Sequence, residues 1–220
     1  MELIDWEFAI EILPLLLDAA RITVFATVIG FTIAALLGLA LAIMRLSRLR
    51  LVSVPAGAFV EFVRSTPLLI QIYFAYYVLP EFGIVLPAMV AGIAGLALHY
   101  SAYTAEVYRA GLEGIRRGQW EAAVALNLGP WHTYRDVVLP QAIPPMVPAL
   151  GNYLIAMFKD TPLLSAIAVI ELMQRAKIIG SDTFRYLEPI TMVGVFFLIM
   201  SLVSAAGVRR LEHWLKHRKG

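Results

Sequence analysis

The chain of 220 residues contains no cysteine, which excludes disulfide staples and thiolate metal sites. Its four histidines are scattered without a His-x-x-x-His pair, so no metal centre is expected. Charge is scarce as well: Asp, Glu, Lys and Arg make up 15% of residues, against about a quarter in a soluble domain. The formal net charge is only +2 and no long basic run occurs, which argues against nucleic acid as a partner. No Gly-x-x-x-x-Gly-Lys-Ser/Thr string is present, so the chain does not itself cradle nucleotide phosphates. Neither Gly-x-Ser-x-Gly nor a Ser/His/Asp order is found, and no catalytic residue is expected.

Apolar residues are plentiful instead, at 60% of the chain, with a mean hydropathy of +0.76. So much apolar surface needs lipid as solvent, and the fold class that follows is an all-α integral membrane protein. A span takes about 20 apolar residues at about 1.5 Å each. About five transmembrane helices fit, near 22–44, 54–80, 83–108, 137–158 and 189–208. Thr161 to Ile170 is apolar but too short to cross, and reads as a buried or re-entrant helix within an external loop, 160–186.

Basic residues set the orientation. Arg45, Arg48 and Arg50 follow the first span, Arg109, Arg116, Arg117 and Arg135 the third, and a basic tail at 211–220 the fifth. The opposite side has Glu2, Asp5, Glu7, Glu11 and Asp18, so the N-terminus is placed outside and the C-terminus in the cytoplasm. The first basic residue is Arg21, unlike a secretory signal. Residues 1–17 read as an external amphipathic segment, with a surface helix from Trp6 to Leu17. Gly, Ala, Ser and Thr within the spans, as in Gly30 to Gly38, read as packing surfaces for close helix approach.

The cytoplasmic loop 112–136 is the informative segment. Good helix formers run to Leu126, and Asn127 stands where a left-handed C-cap is expected. Gly129 and Pro130 then open a second helix. The result is a helix-turn-helix whose small Ala122 and Ala123 suit a partner's groove. The string Glu121-Ala122-Ala123, Asn127, Val137 and Leu139-Pro140 resembles the Glu-Ala-Ala loop of permease subunits of binding-protein-dependent ABC importers, with Asn127 in place of the usual glycine. Arg64-Ser65-Thr66-Pro67-Leu68-Leu69, Ala102 to Gly111 and Phe158 to Leu164 resemble the polar amino acid branch of that family. Glu171 to Gly180 resembles permeases for ectoine and hydroxyectoine.

The resemblance spans residues 18–210 and implies a type I ABC importer transmembrane domain in a bacterial inner membrane. It implies a polar amino acid or ectoine as solute, moved by alternating access. The partners implied are two copies of an ABC ATPase, a second permease chain, identical or paralogous, and an external solute-binding protein. No cofactor is expected on this chain, with ATP and magnesium held by the ATPase. Glu121, Ala122, Ala123, Asn127 and Gly129 would transmit ATPase closure to the helices. An ATP-independent secondary transporter is the alternative, weakened by the lack of an internal repeat; a non-transporting scaffold is another.

Charged and polar groups inside spans are costly unless they face protein or water, which makes them candidate pathway residues. Arg64 either pairs with Glu61, three residues earlier, or meets a solute carboxylate, with Thr66 nearby. His99 lies ten residues before Arg109, roughly 15 Å deep by helical rise, beside Tyr100 and Tyr103. These either line the pathway or make interhelical hydrogen bonds. Glu106 and Arg109 are spaced to brace the cytoplasmic end. Lys159 and Asp160 are placed at the outer surface, to dock the binding protein or to anchor their helix. Prolines 140, 144, 145 and 148 are expected to bend or break the start of the fourth span.

Overall fold

The computed structural model describes residues 4–217. Glu2 and the tail residues Arg218 and Lys219, used above to orient the chain, lie outside them. Among the described residues the chain is entirely helical: α1 Trp6–Arg45, α2 Arg50–Arg64, α3 Leu68–Tyr73, α4 Ala88–Glu113, α5 Arg117–Ala125, α6 Pro130–His132, α7 Leu139–Asp160, α8 Leu172–Thr183 and α9 Leu187–His217.

Helix α1 corrects the expectation of a separate amphipathic segment before the first span. Asp5 caps it by accepting the Phe8 N–H at 3.1 Å, and it then runs unbroken for 40 residues. Pro14 does not end it. By length and composition, among the described residues α1 and α9 are the two helices able to cross a membrane alone, and Pro130–Ile167 with Leu172–Thr183, bent by 49°, would make a third. The second and third expected spans are helical but less apolar or broken. Helix α4 carries His99, Tyr100, Ser101, Tyr103 and Thr104, and α2 stops at Arg64, with α3 resuming at Leu68.

That break is closed by a side chain. Gln71 Nε2 donates to the Thr66 Oγ1 at 2.7 Å and to the Val63 carbonyl at 2.8 Å, spanning the interruption. Two π-helical turns, Phe74–Val78 and Thr133–Val138, each lie just ahead of a proline, Pro80 and Pro140. A proline ring clashes with the carbonyl four residues before it, and widening the turn relieves that clash. The expected break at the start of the fourth span is therefore taken up in the π turn, and α7 continues through Pro144, Pro145 and Pro148.

Packing centres on α1 against α4. The buried face of α1 is Ala19, Thr23, Ala26, Thr27, Gly30, Ala34, Gly38 and Ala42, small residues at helical spacing. Thr104 of α4 donates its hydroxyl to the Ala34 carbonyl at 2.9 Å. A Cβ on Gly38 would meet the Thr104 Oγ1 at 2.0 Å and the Ser101 carbonyl at 2.8 Å, so only glycine fits there. Outward faces are apolar, with Phe25, Leu36 and Ile43 on α1 and Leu198, Leu202 and Val203 on α9 all exposed. This suits a lipid solvent and would be a liability in water.

At the outer end a short 3-10 turn, Thr161–Ile167, leads into α8, whose buried N-cap Glu171 accepts the Gln174 and Met173 N–H groups at 2.8 and 3.0 Å. The Leu172 N–H reaches Thr23 Oγ1 at 3.2 Å and ties α8 to α1. Arg185 pairs with Glu188 at 2.7 Å and with Asp5 at 3.1 Å, and its guanidinium lies 4.2 Å from the Phe8 ring centre. The Phe8 N–H and then Arg185 hold the Asp5 carboxyl below its ordinary value.

Two outcomes follow. Gly38→Ala lowers stability by about 1–3 kcal/mol, while Gly194→Ala, where nothing lies within 4 Å, does not; thermal unfolding of the purified protein reads the difference. Carboxyls held low stabilise above the ordinary carboxylate range and lose that contribution as pH falls below about 4. The protection of the Phe8 and Ala9 amides against hydrogen exchange, referenced to the intrinsic rate at each pH, therefore falls at acid pH, and Arg185→Gln lowers it at neutral pH also.

Candidate functional site

The cytoplasmic loop folds as a helix-turn-helix. Helix α5 ends in a Schellman turn: the Asn127 N–H bonds the Val124 carbonyl at 2.9 Å and the Leu128 N–H the Ala123 carbonyl at 3.0 Å. Asn127 has φ 54°, the left-handed region that Asn tolerates best after glycine. Gly129 is extended and Pro130 occupies the first position of α6. Glu121 is exposed and paired with Arg117 at 3.0 Å across one turn. Ala122 is exposed, whereas Ala123 is buried within the chain and so does not reach a partner. What the loop does present is Val124, Leu126 and Trp131, which are 77%, 73% and 70% exposed. Large apolar side chains this bare on a cytoplasmic loop mark an interaction surface. Within the loop the Trp120 and Tyr134 rings meet edge to face at 5.5 Å, and Gln141 of α7, donating to Gln119 at 3.0 Å, braces the loop to the bundle.

Inside the bundle, α4 and α7 bring together a second set of groups. His99 meets Tyr100 and Tyr103 with ring centres 5.6 and 5.1 Å apart. Tyr153 of α7 lies 5.5 Å from Tyr103 and 6.2 Å from Tyr100. The Tyr100 hydroxyl donates to Asp160 Oδ2 at 2.7 Å. Asp160 is therefore turned inward onto the tyrosines, a correction to its expected place at the outer surface, while Lys159 is exposed. His99 Nδ1 is buried and has no hydrogen-bond partner among the described residues. A buried polar atom without a partner is costly and points to a group supplied from outside the chain. Tyr153 was missed in the sequence, although it stands seven residues before Asp160, two turns along the same helical face.

Thr66 does not join this cluster. Its hydroxyl closes the α2–α3 break with Gln71, and it lines a separate groove of about 800 Å³ with Phe62, Ile70 and Phe74.

At the cytoplasmic end of the cluster stands Glu106. Its carboxylate accepts Arg45 of α1 and Arg64 of α2 on Oε1, the latter at 3.3 Å, and Arg109 on Oε2 at 2.8 and 3.0 Å. Arg109 continues to Glu113. Arg64 thus pairs with Glu106 rather than with Glu61, which is exposed and makes no ion pair among the described residues. Although spaced to pair, Arg64 faces α4, where the guanidinium also lies 5.4 Å from the Tyr103 ring centre.

Residues 30–217 match the sequence model of the binding-protein-dependent transport system inner membrane component. The chain belongs to that family. A probable amino-acid ABC transporter permease protein of Sinorhizobium fredii is 49% identical over 205 residues, covering 93% of this chain and 89% of that protein. The glutamine transport system permease protein of Escherichia coli is 35% identical over 214 residues, covering 96% and 98%. A crystal structure of an amino acid ABC transporter with histidines superposes with a TM-score of 0.91 at 35% identity, over 96% of this chain and 99% of that one. A methionine ABC transporter in an inward-facing conformation, 22% identical with a TM-score of 0.68 over 91% and 94%, shares the fold. The protein is thus a membrane permease subunit with the type I ABC importer fold, a class that works with an ATPase and a binding protein.

At Asn127 the backbone decides which replacements are tolerated. Asn127→Gly keeps stability, whereas Asn127→Val costs about 1–2 kcal/mol, read as lost hydrogen-exchange protection in α5.

Proposed function

We propose that this chain is the permease subunit of an ATP-driven importer for a polar amino acid or a related zwitterion such as ectoine, in a bacterial inner membrane. The observation that carries the reading is the pairing of two surfaces on one bundle. A rigid helix-turn-helix with bare apolar side chains faces the cytoplasm, and a cluster of aromatic hydroxyls with opposite charges at its two ends lies within the helices.

The first surface suits an ABC ATPase, one copy to each of two permease chains. Closure of the two ATPases pushes on Glu121 to Gly129, and the Schellman turn at Asn127 passes the force to α7 without bending. The second permease chain is a copy of this one or a paralogue. Hydrolysis belongs to the ATPase, which holds ATP and magnesium, and this chain binds no cofactor.

The second surface suits a small zwitterion. Asp160 offers a negative charge to an ammonium group, and Arg64 a positive charge to a carboxylate, with Tyr100, Tyr103 and Tyr153 between them. His99 Nδ1 supplies the remaining polar contact. The exposed Lys159 and the outer segment from Thr161 to Tyr186 receive the external solute-binding protein. The relatives named for amino acids and glutamine support an amino acid as the solute.

Uptake into proteoliposomes carrying the assembled transporter tests this. Radiolabelled glutamine, glutamate, arginine, histidine and ectoine are compared, with wild type beside Glu121→Arg. ATP-dependent uptake of one solute, reduced by about tenfold or more in Glu121→Arg, is the expected result. Uptake indifferent to ATP and to Glu121 points instead to a secondary transporter.

A further inference from the structure

The carboxylate of Glu106 is unevenly held, and its loosest partner is the one that also reaches the tyrosine cluster. Arg64 makes the longest contact, at 3.3 Å, and its side chain is 39% exposed, against 20% for Arg45 and 31% for Arg109. The same guanidinium faces the Tyr103 ring at 5.4 Å. Three guanidiniums meet only two carboxylates here, Glu106 and Glu113, so a positive charge is left over. An anionic group arriving beside Tyr103 meets that charge at Arg64.

We propose that Arg64 is a movable arm that a solute carboxylate takes from Glu106, so that occupancy of the cluster releases α2 from the cytoplasmic end of α4. The proposal rests on the reading of the cluster as a transport pathway, and it narrows the solute to one with a free carboxylate. No covalent bond changes. One charge-assisted hydrogen bond is exchanged for another of the same kind, which keeps the two arrangements close in free energy, as a switch requires. Helix α1 stays joined to α4 through Arg45 on Glu106, with Arg109 of α4 still on the same carboxylate, and only the Arg64 arm of α2 is let go. At the break between α2 and α3, Ser65–Pro67, the main-chain helix is interrupted and the Gln71 amide is the tie about which α2 turns. A conformational bias set by the solute in this way lowers the barrier to the swing that ATPase closure drives.

The test uses the chain assembled with its ATPase in nanodiscs, without the external binding protein, so that added solute reaches the pathway directly. ATP hydrolysis is followed with glutamine, arginine and histidine and with the carboxamide of each. A free carboxylate is expected to raise hydrolysis by about fivefold, and the carboxamides to leave it at the resting rate. Glu106→Gln is expected to hydrolyse at the raised rate without solute and to respond no further. Arg64→Gln gives an independent check, because it removes the arm while leaving Arg45 and Arg109 on Glu106; it too loses the response. Equal responses to acids and carboxamides overturn the proposal, as do variants whose resting rate and response match wild type. Wild-type uptake of the solutes in proteoliposomes, measured alongside, separates the two levels. If uptake is normal while acids and carboxamides act alike, only the arm is overturned; absence of ATP-driven uptake overturns the importer reading beneath it.

Discussion

The contact of α1 with α4 at Gly38 sets the geometry of the remaining bundle. In lipid no hydrophobic force drives helices together, so close packing and hydrogen bonds must hold them. Gly38 lets the two backbones come near enough for Thr104 to bond the Ala34 carbonyl, and the other small residues of α1 continue the seam. With α4 fixed there, its next face carries Tyr100 toward Asp160 and its cytoplasmic end carries Glu106 toward Arg45 and Arg64. The polar cluster and the charged hub are thus consequences of one close approach.

Polar groups in this bundle fall into two kinds. Those that serve structure are satisfied within the chain, as with the Thr66 hydroxyl at the broken helix or Glu171 at the start of α8. Those assigned to transport keep some capacity in reserve. Among the described residues His99 Nδ1 has no hydrogen-bond partner, and Arg64 makes one long hydrogen bond besides its contact with the Tyr103 ring. A bundle that satisfied every polar atom would have nothing to offer a passing solute.

Legibility in the sequence followed the range of the interaction. Asn127 was readable because residue type alone selects the left-handed turn, and Glu106 with Arg109 because they share one helix at a fixed spacing. The partners of Arg64 were not, since Glu61 is its neighbour by spacing while Glu106 is its neighbour only after α2 and α4 pack. Tyr153 escaped notice for the same reason: its closeness to Tyr103 depends on how α7 lies against α4. The prolines misled in another way. Those at 140, 144, 145 and 148 suggested a bent or broken span, but the strain at Pro140 is absorbed in a π turn, as it is at Pro80, and α7 continues through the other three.

The unbroken course of α1 has a mechanical meaning. At about 1.5 Å per residue its 40 residues measure about 60 Å, twice the hydrocarbon thickness of a bilayer. One rod therefore carries Asp5 of the outer clasp at one end and Arg45 of the inner hub at the other. A helix is stiff along its axis, so a displacement at either membrane face is passed toward the other. The two compartments are connected by a single continuous helix, with Pro14 the point along it where a main-chain hydrogen bond is missing.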